Sequence, residues 1–371
     1  MTGRERFLAA INNEKPDRLP CQVHSWMAYY LKNYLDGADQ YAAYARFGMD
    51  PVIYCAPEYD FAERDKANWQ IETKDLGIDA DGVRHWATKI TTPAGTLTSR
   101  EAANECTAWT TKFLIENEAD FEIWNKYVPV PTACDWTPVL EDKNRIGETG
   151  IVRAYLHEFG QGSPWQSFCT LYDTELAIMA SFDKPEWLHH ALDSLLEKKL
   201  RIIEVSGRFQ GDLIETGGGA GSSTVISPAL HEEFCLPYDR KQHAALHVQG
   251  AKIVYHLCGG LMPLLDLVAQ NGADGLETMT PPSMGGDCDL VEATRRVGDK
   301  LFFIGGFDQN AGFEKGTPEV VTEMVRELHA ACPDGGYICC PSDHFFFGAP
   351  TNVQAFVDTA GQCTYREVSM Q

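Results

Sequence analysis

Residues 251–278, AKIVYHLCGGLMPLLDLVAQNGADGLET, decide the fold. Ile253-Val254-Tyr255 is a short apolar run that Gly259-Gly260 stops. Leu261 to Gln270 carries a helical pattern ending at Asn271-Gly272, and Gly275–Thr278 is a second short run. Strand, helix, strand at this spacing predicts two parallel strands joined by a helix. Similar short runs recur at Leu19–Val23, Pro51–Cys55, Ile151–Tyr155, Asp212–Glu215, Leu301–Ile304 and Tyr337–Cys340, most of them followed by helical patterns. Eight such units predict an α/β protein whose parallel strands close into a (β/α)8 TIM barrel.

The punctuation between the runs agrees. Ser227-Pro228 offers an N-cap and a first-turn proline, with a kink expected at Pro237. Thr317-Pro318-Glu319 opens a helix toward Ala331, and Leu290 to Val297 ends at Gly298. From Pro185 to Val205, Leu188, Leu192, Leu195, Leu196 and Leu200 share one helical face. Residues 1–19 predict an N-terminal helical extension with Thr2 as its cap, Phe7, Leu8 and Ile11 as its apolar face, and Pro16 as its end. Residues 60–130 break the rhythm. Trp69–Thr73 and Val83–Ile90 alternate like a hairpin, and Thr92–Thr98 adds a turn and a third short strand. This predicts a small β-hairpin insertion covering part of the barrel mouth within a single domain of residues 1–371.

The bulk numbers narrow the function. There are 31 Lys and Arg against 53 Asp and Glu, a formal charge of -22, which argues against nucleic acid as a partner. No apolar run approaches the roughly 18–20 residues of a membrane span. The amino-terminal residues are charged, and the 12 cysteines contain no CxxC pair, so a reducing cytoplasm is expected and a disulfide framework is not.

In a barrel of this type the chemistry gathers at the carboxyl ends of the strands. His256 and Cys258 lie two apart at such an end, so their side chains should fall on one side. An imidazole nitrogen beside a sulfur suits zinc. The plainer alternative is a buried cysteine and a hydrogen-bonded histidine that share a strand end. The same rule selects His24, Ser25 and Trp26 after the first strand, Glu215 and the glycine run 217–221 after the fourth, Glu277 after the sixth, and Asp308 and Gln309 after the seventh. Cys339, Cys340, Asp343 and His344 follow the eighth. The glycine run lacks a nucleotide-loop pattern and reads as close backbone approach to a ligand or a neighbouring loop.

The chain resembles the uroporphyrinogen decarboxylase superfamily, and within it the corrinoid-dependent zinc methyltransferase branch, notably the O-demethylase methyltransferases. The resemblance runs from Thr2-Gly-Arg-Glu-Arg-Phe7, Pro16-Asp-Arg-Leu-Pro20 and Thr92–Thr98 through Ser227-Pro228, Phe234 and Pro237-Tyr238. It is strongest in Tyr255-His-Leu-Cys-Gly259, Gly272-Ala-Asp-Gly-Leu-Glu277, Gly305-Gly-Phe-Asp308 and Gly335-Gly-Tyr-Ile338. The true decarboxylase is disfavoured, because Trp26–Lys32 lacks the arginines that a polycarboxylate substrate requires. The resemblance implies zinc on His256 and Cys258. Where relatives place a third cysteine this chain reads Cys339-Cys-Pro-Ser-Asp-His344, and His344 is favoured as third ligand, with Cys340 upstream. It further implies a methoxylated, aromatic methyl donor and a Co(I) corrinoid carried by a partner protein. Methylcobamide:thiol transfer and a metal-free lyase are the alternatives. Glu215 and Asp308 are the expected catalytic or supporting carboxylates, and His24, Trp26, Tyr29, Glu277 and Phe346 the expected substrate wall. Homodimerisation is compatible with all of this.

Overall fold

The computed structural model describes residues 1–157 and 161–365. Its core is the expected barrel. Five parallel strands run in the order Ile214–Gly217, Ile253–His256, Gly275–Thr278, Phe302–Phe307 and Tyr337–Pro341. Val52–Cys55 pairs in parallel with Ile151–Ala154, which joins the five-stranded sheet through a bridge from Arg153 to Leu213. At the other edge Cys21 bridges to Cys339. All eight expected segments therefore occupy barrel positions in chain order, with helices packed outside.

Side chains alternate between the helix layer and the barrel interior. The interior floor is apolar. Val52, Ile151, Leu213, Val254, Phe302, Ile304 and Ile338 pack there on Phe7, Ala10 and Ile11 of the N-terminal helix. Two residues further along four of these strands stand Tyr54, Arg153, Glu215 and His256. The interior thus changes from hydrocarbon to ionisable groups in one step of the pleat. Register then sets the neighbours: His256 lies opposite Gly217 on one side and Glu277 on the other.

The N-terminal helix is shorter than expected, Gly3–Ile11, because the backbone turns left-handed at Asn13 before Pro16 is reached. Its start matches: Thr2 caps it in a reciprocal capping box with Glu5. Pro185–Ser206, Leu290–Val297 and Pro318–Ala331 form as read, and the Pro237 kink is a break at Cys235 between Pro228–Phe234 and Leu236–Val248.

The insertion is larger than a hairpin. Gln70–Ile78, Arg84–Thr92, Gly95–Ala103 and Ala108–Lys112 form a four-stranded antiparallel meander. The Ser99–Ala103 half of the third strand and the whole fourth strand lack a clear apolar alternation, and the cross-strand ladder holds them in place. Ile90 and Leu97 anchor the meander in a second core with Phe121, Trp124, Trp165 and Phe168. Its Asn104–Thr107 turn reaches the far side of the mouth: burial and the Glu105 carboxylate raise the Tyr29 phenol, and burial with Glu105 and Glu314 raises the Cys106 thiol. The outer strand Gln70–Ile78 is exposed throughout and carries a register shift between Asp75 and Gly77. Among the described residues no helix is long and apolar enough to cross a membrane.

Phe121 is fully buried against Trp124, Phe168 and Trp187. Phe121→Ala is expected to cost about 3–5 kcal/mol, read as a lower urea midpoint. An unchanged midpoint would show that the second core contributes little to cohesion.

Candidate metal centre

Four adjacent strands deliver the central groups. Arg153, Glu215, His256 and Glu277 come from the third to sixth barrel strands, and all four are buried. Arg153 Nη1 donates to Glu277 Oε2 at 2.8 Å, and Nη2 donates to Glu277 Oε1 at 3.0 Å and to Glu215 Oε2 at 2.8 Å. His256 Nδ1 lies 3.1 Å from Glu277 Oε1 and 3.4 Å from Glu215 Oε1. Both neighbours of Nδ1 are carboxylates, so that nitrogen carries a proton and Nε2 is the nitrogen available to a metal.

The mouth supplies further donors. Donor atoms of His24, Glu215 and His256 lie within 4.8 Å of one another. The Cys258 thiol is within hydrogen-bonding reach of His256. The glycine run makes room for it: a Cβ on Gly219 would stand 2.5 Å from Cys258 Sγ, and one on Gly217 would stand 2.4 Å from the His256 carbonyl oxygen. Close backbone approach to a neighbouring loop is therefore what these glycines provide. The His344 ring centroid is 4.8 Å from that of His24, and its Nδ1 is 3.1 Å from Ser25 Oγ.

Burial and charge separate the titrating groups. Burial, then the neighbouring Glu277 carboxylate, push Glu215 up to about 7 against the pull of His256 and Arg153. Burial alone would raise Glu277 too, but Arg153 and His256 overcome it and hold Glu277 well below the usual carboxylate range. Burial would lower His256, yet Cys258, Glu277 and Glu215 keep it well above an ordinary imidazole. Burial pushes His24 down to about 3 and lowers His344, leaving both neutral with lone pairs to offer. Two imidazoles and a carboxylate in a buried cluster, with the half-buried Cys258 thiol beside one of the imidazoles, fit the donor chemistry of zinc.

Other expected site residues fall elsewhere. Cys340 faces the barrel interior beside Ile304 and Ile338, within reach of Gln22, and is not part of the donor cluster. Asp308 is buried, but its carboxylate accepts the Ala311 amide and caps the following turn. Trp26 is core, stacked on Phe47 and Tyr30. Tyr29 meets Phe347, while Phe346 is half-buried beyond the last strand. Asp343 is exposed and accepts the His344 amide. Sequence reasoning missed Arg153, whose one signal was a cation inside the apolar run Ile-Val-Arg-Ala. It also missed Tyr54 and Tyr155, which stack on each other beside it.

The family model for uroporphyrinogen decarboxylase (URO-D) matches residues 160–363, more than half of the chain, and the protein belongs to this family. Among curated relatives, uroporphyrinogen decarboxylase of Pseudomonas entomophila (strain L48) is 28% identical over 188 residues, which is 47% of this chain and 49% of that protein. The enzyme of the same name from Neisseria meningitidis serogroup A is 33% identical over 191 residues, 49% of this chain and 47% of the relative. The chain thus aligns with about half the length of the curated relatives it matches. Among solved structures, a methyltransferase from Methanosarcina mazei superposes over 98% of this chain and 99% of its own, with TM-score 0.66 at 15% identity, which demonstrates the shared barrel.

Gly219 has no left-handed backbone requirement, so Gly219→Ala tests the thiol's position directly. Its methyl group should displace Cys258 and weaken zinc binding about tenfold or more in a chelator competition, with thermal unfolding nearly unchanged. Equal zinc affinity in the variant would remove Cys258 from the centre.

Proposed function

We propose that the protein is a zinc-dependent methyltransferase that moves a methyl group from a methoxylated aromatic compound to the Co(I) corrinoid of a partner protein. The observation that carries this is the clamped His256: Nδ1 is held by Glu277 while neutral His24 and the Cys258 thiol stand near the ring. His256, Cys258 and His24 would hold the zinc, with His344 beside His24 as the further donor. Zinc bound there supplies a Lewis acid that stabilises negative charge on an oxygen leaving group.

The chain's own residues do the rest. Glu215, in reach of the cluster and protonated near neutrality, can hand a proton to the departing oxygen. Glu277 stays ionised and orients His256. The meander turn at Glu105 comes near Tyr29 at the rim of the mouth. The Co(I) corrinoid would be presented at the mouth by a partner protein.

The names of the curated relatives favour a second reading, a metal-free lyase. Against it, a polycarboxylate substrate needs free cations, and the buried Arg153 is already committed to Glu215 and Glu277. Methyl transfer from a methylcobamide to a thiol would use the same donors in the opposite direction.

Cys258→Ala should lose bound zinc, measured by elemental analysis, while circular dichroism stays close to wild type. The zinc-loaded wild type with reduced corrinoid protein should consume a methoxyarene and release the phenol, followed chromatographically, and chelation should abolish turnover without unfolding the barrel. Methylation of a free thiol in place of demethylation would reverse the assignment, and wild-type protein without stoichiometric zinc would support the lyase.

A further inference from the structure

Arg153 of the inner layer has no part in the chemistry above, yet it contacts Glu277, Glu215 and Tyr54. Its guanidinium spans the barrel interior from the third strand to the sixth. It grips both oxygens of Glu277 in a fork, uses the second Nη2 hydrogen on Glu215, and lies with its central carbon 4.9 Å from the centre of the Tyr54 ring. We propose that Arg153 is a positioning residue that, through the two carboxylates, fixes the ring of His256 with Nδ1 turned inward and Nε2 turned to the metal site. This rests on the zinc-centre reading given above.

The geometry carries it in three links. A planar guanidinium with two parallel donors sets the plane of the Glu277 carboxylate as well as its place. Glu277 Oε1, so oriented, is the atom that meets His256 Nδ1 at 3.1 Å. Glu215, held by Nη2 through Oε2, turns its other oxygen to the same nitrogen at 3.4 Å. One cation thereby orients both glutamates about one ring nitrogen, with Glu277 as its hydrogen-bond partner and Glu215 as the nearby second group. A lysine would keep the charge but, as a point donor, would align neither carboxylate plane.

The test is metal binding by the full-length protein, independent of turnover. Wild type and Arg153→Lys are compared for Zn2+ affinity against a chromophoric chelator and for the visible spectrum of the Co2+-loaded form. Loss of ring alignment predicts binding weaker by about 10–100-fold and an altered Co2+ spectrum, with the circular dichroism of a folded barrel. If Arg153→Lys does not fold, Arg153→Met/Glu215→Gln, which removes one cation and one anion together, is compared with Glu215→Gln alone, and the extra loss belongs to Arg153. Binding within about threefold of its reference with an unchanged spectrum overturns the positioning role and leaves the zinc reading intact. Wild type that takes up neither metal overturns the zinc reading, and the positioning role with it.

Discussion

A guanidinium sealed inside a β-barrel has to be neutralised where it stands. Removing one ion from water costs several kcal/mol even after relaxation, and only close, well-aligned counter-charges recover it. Here Arg153 meets Glu277 and Glu215 at hydrogen-bond distance on three contacts. A second carboxylate against the same guanidinium is pushed toward its neutral form, as Glu215 is, and His256 Nδ1 faces both glutamates. The site is therefore a single electrostatic unit drawn from four consecutive barrel strands. Each member's protonation depends on the others, which is why the two glutamates diverge so far in acidity despite similar burial.

The architecture beneath this unit explains why it stays put. The floor of the barrel is plugged by Phe7, Ala10 and Ile11, and the apolar layer above them closes the amino end. Charged groups in the next layer face a dry floor on one side and the mouth on the other. Ordinary β alternation then brings the next interior-facing residue of these strands into this layer. His256 reaches it from Val254 and Glu215 from Leu213 by the same two-residue step.

This periodicity is also why so much was legible in the chain. Seven of the eight short apolar runs became barrel strands and Leu19–Val23 joins through a single bridge at Cys21, while His256 closes its strand with the Cys258 thiol within reach just beyond it. The glycine run could be read as close backbone approach because Gly217 and Gly219 leave no space for a side chain. What stayed hidden has a common cause. Arg153 belongs to an apolar strand and is explained only by carboxylates 62 and 124 residues away. Trp26 and Asp308 sit where mouth residues should be, but one is drawn into an aromatic stack and the other into a turn cap, and neither choice is written in local sequence. The meander's later strands depend on partners across the ladder rather than on their own pattern.

The outer strand of that meander, Gln70–Ile78, leaves a row of backbone groups unpaired at the molecule's periphery. Open edges of this kind recruit other chains by simple ribbon extension. The slip at Leu76, between Asp75 and Gly77, twists the strand and breaks the flat run of donors and acceptors. Lys74 adds a charge beside it. An irregularity that looks like poor sheet geometry is thus of the kind that blunts pairing at an open edge.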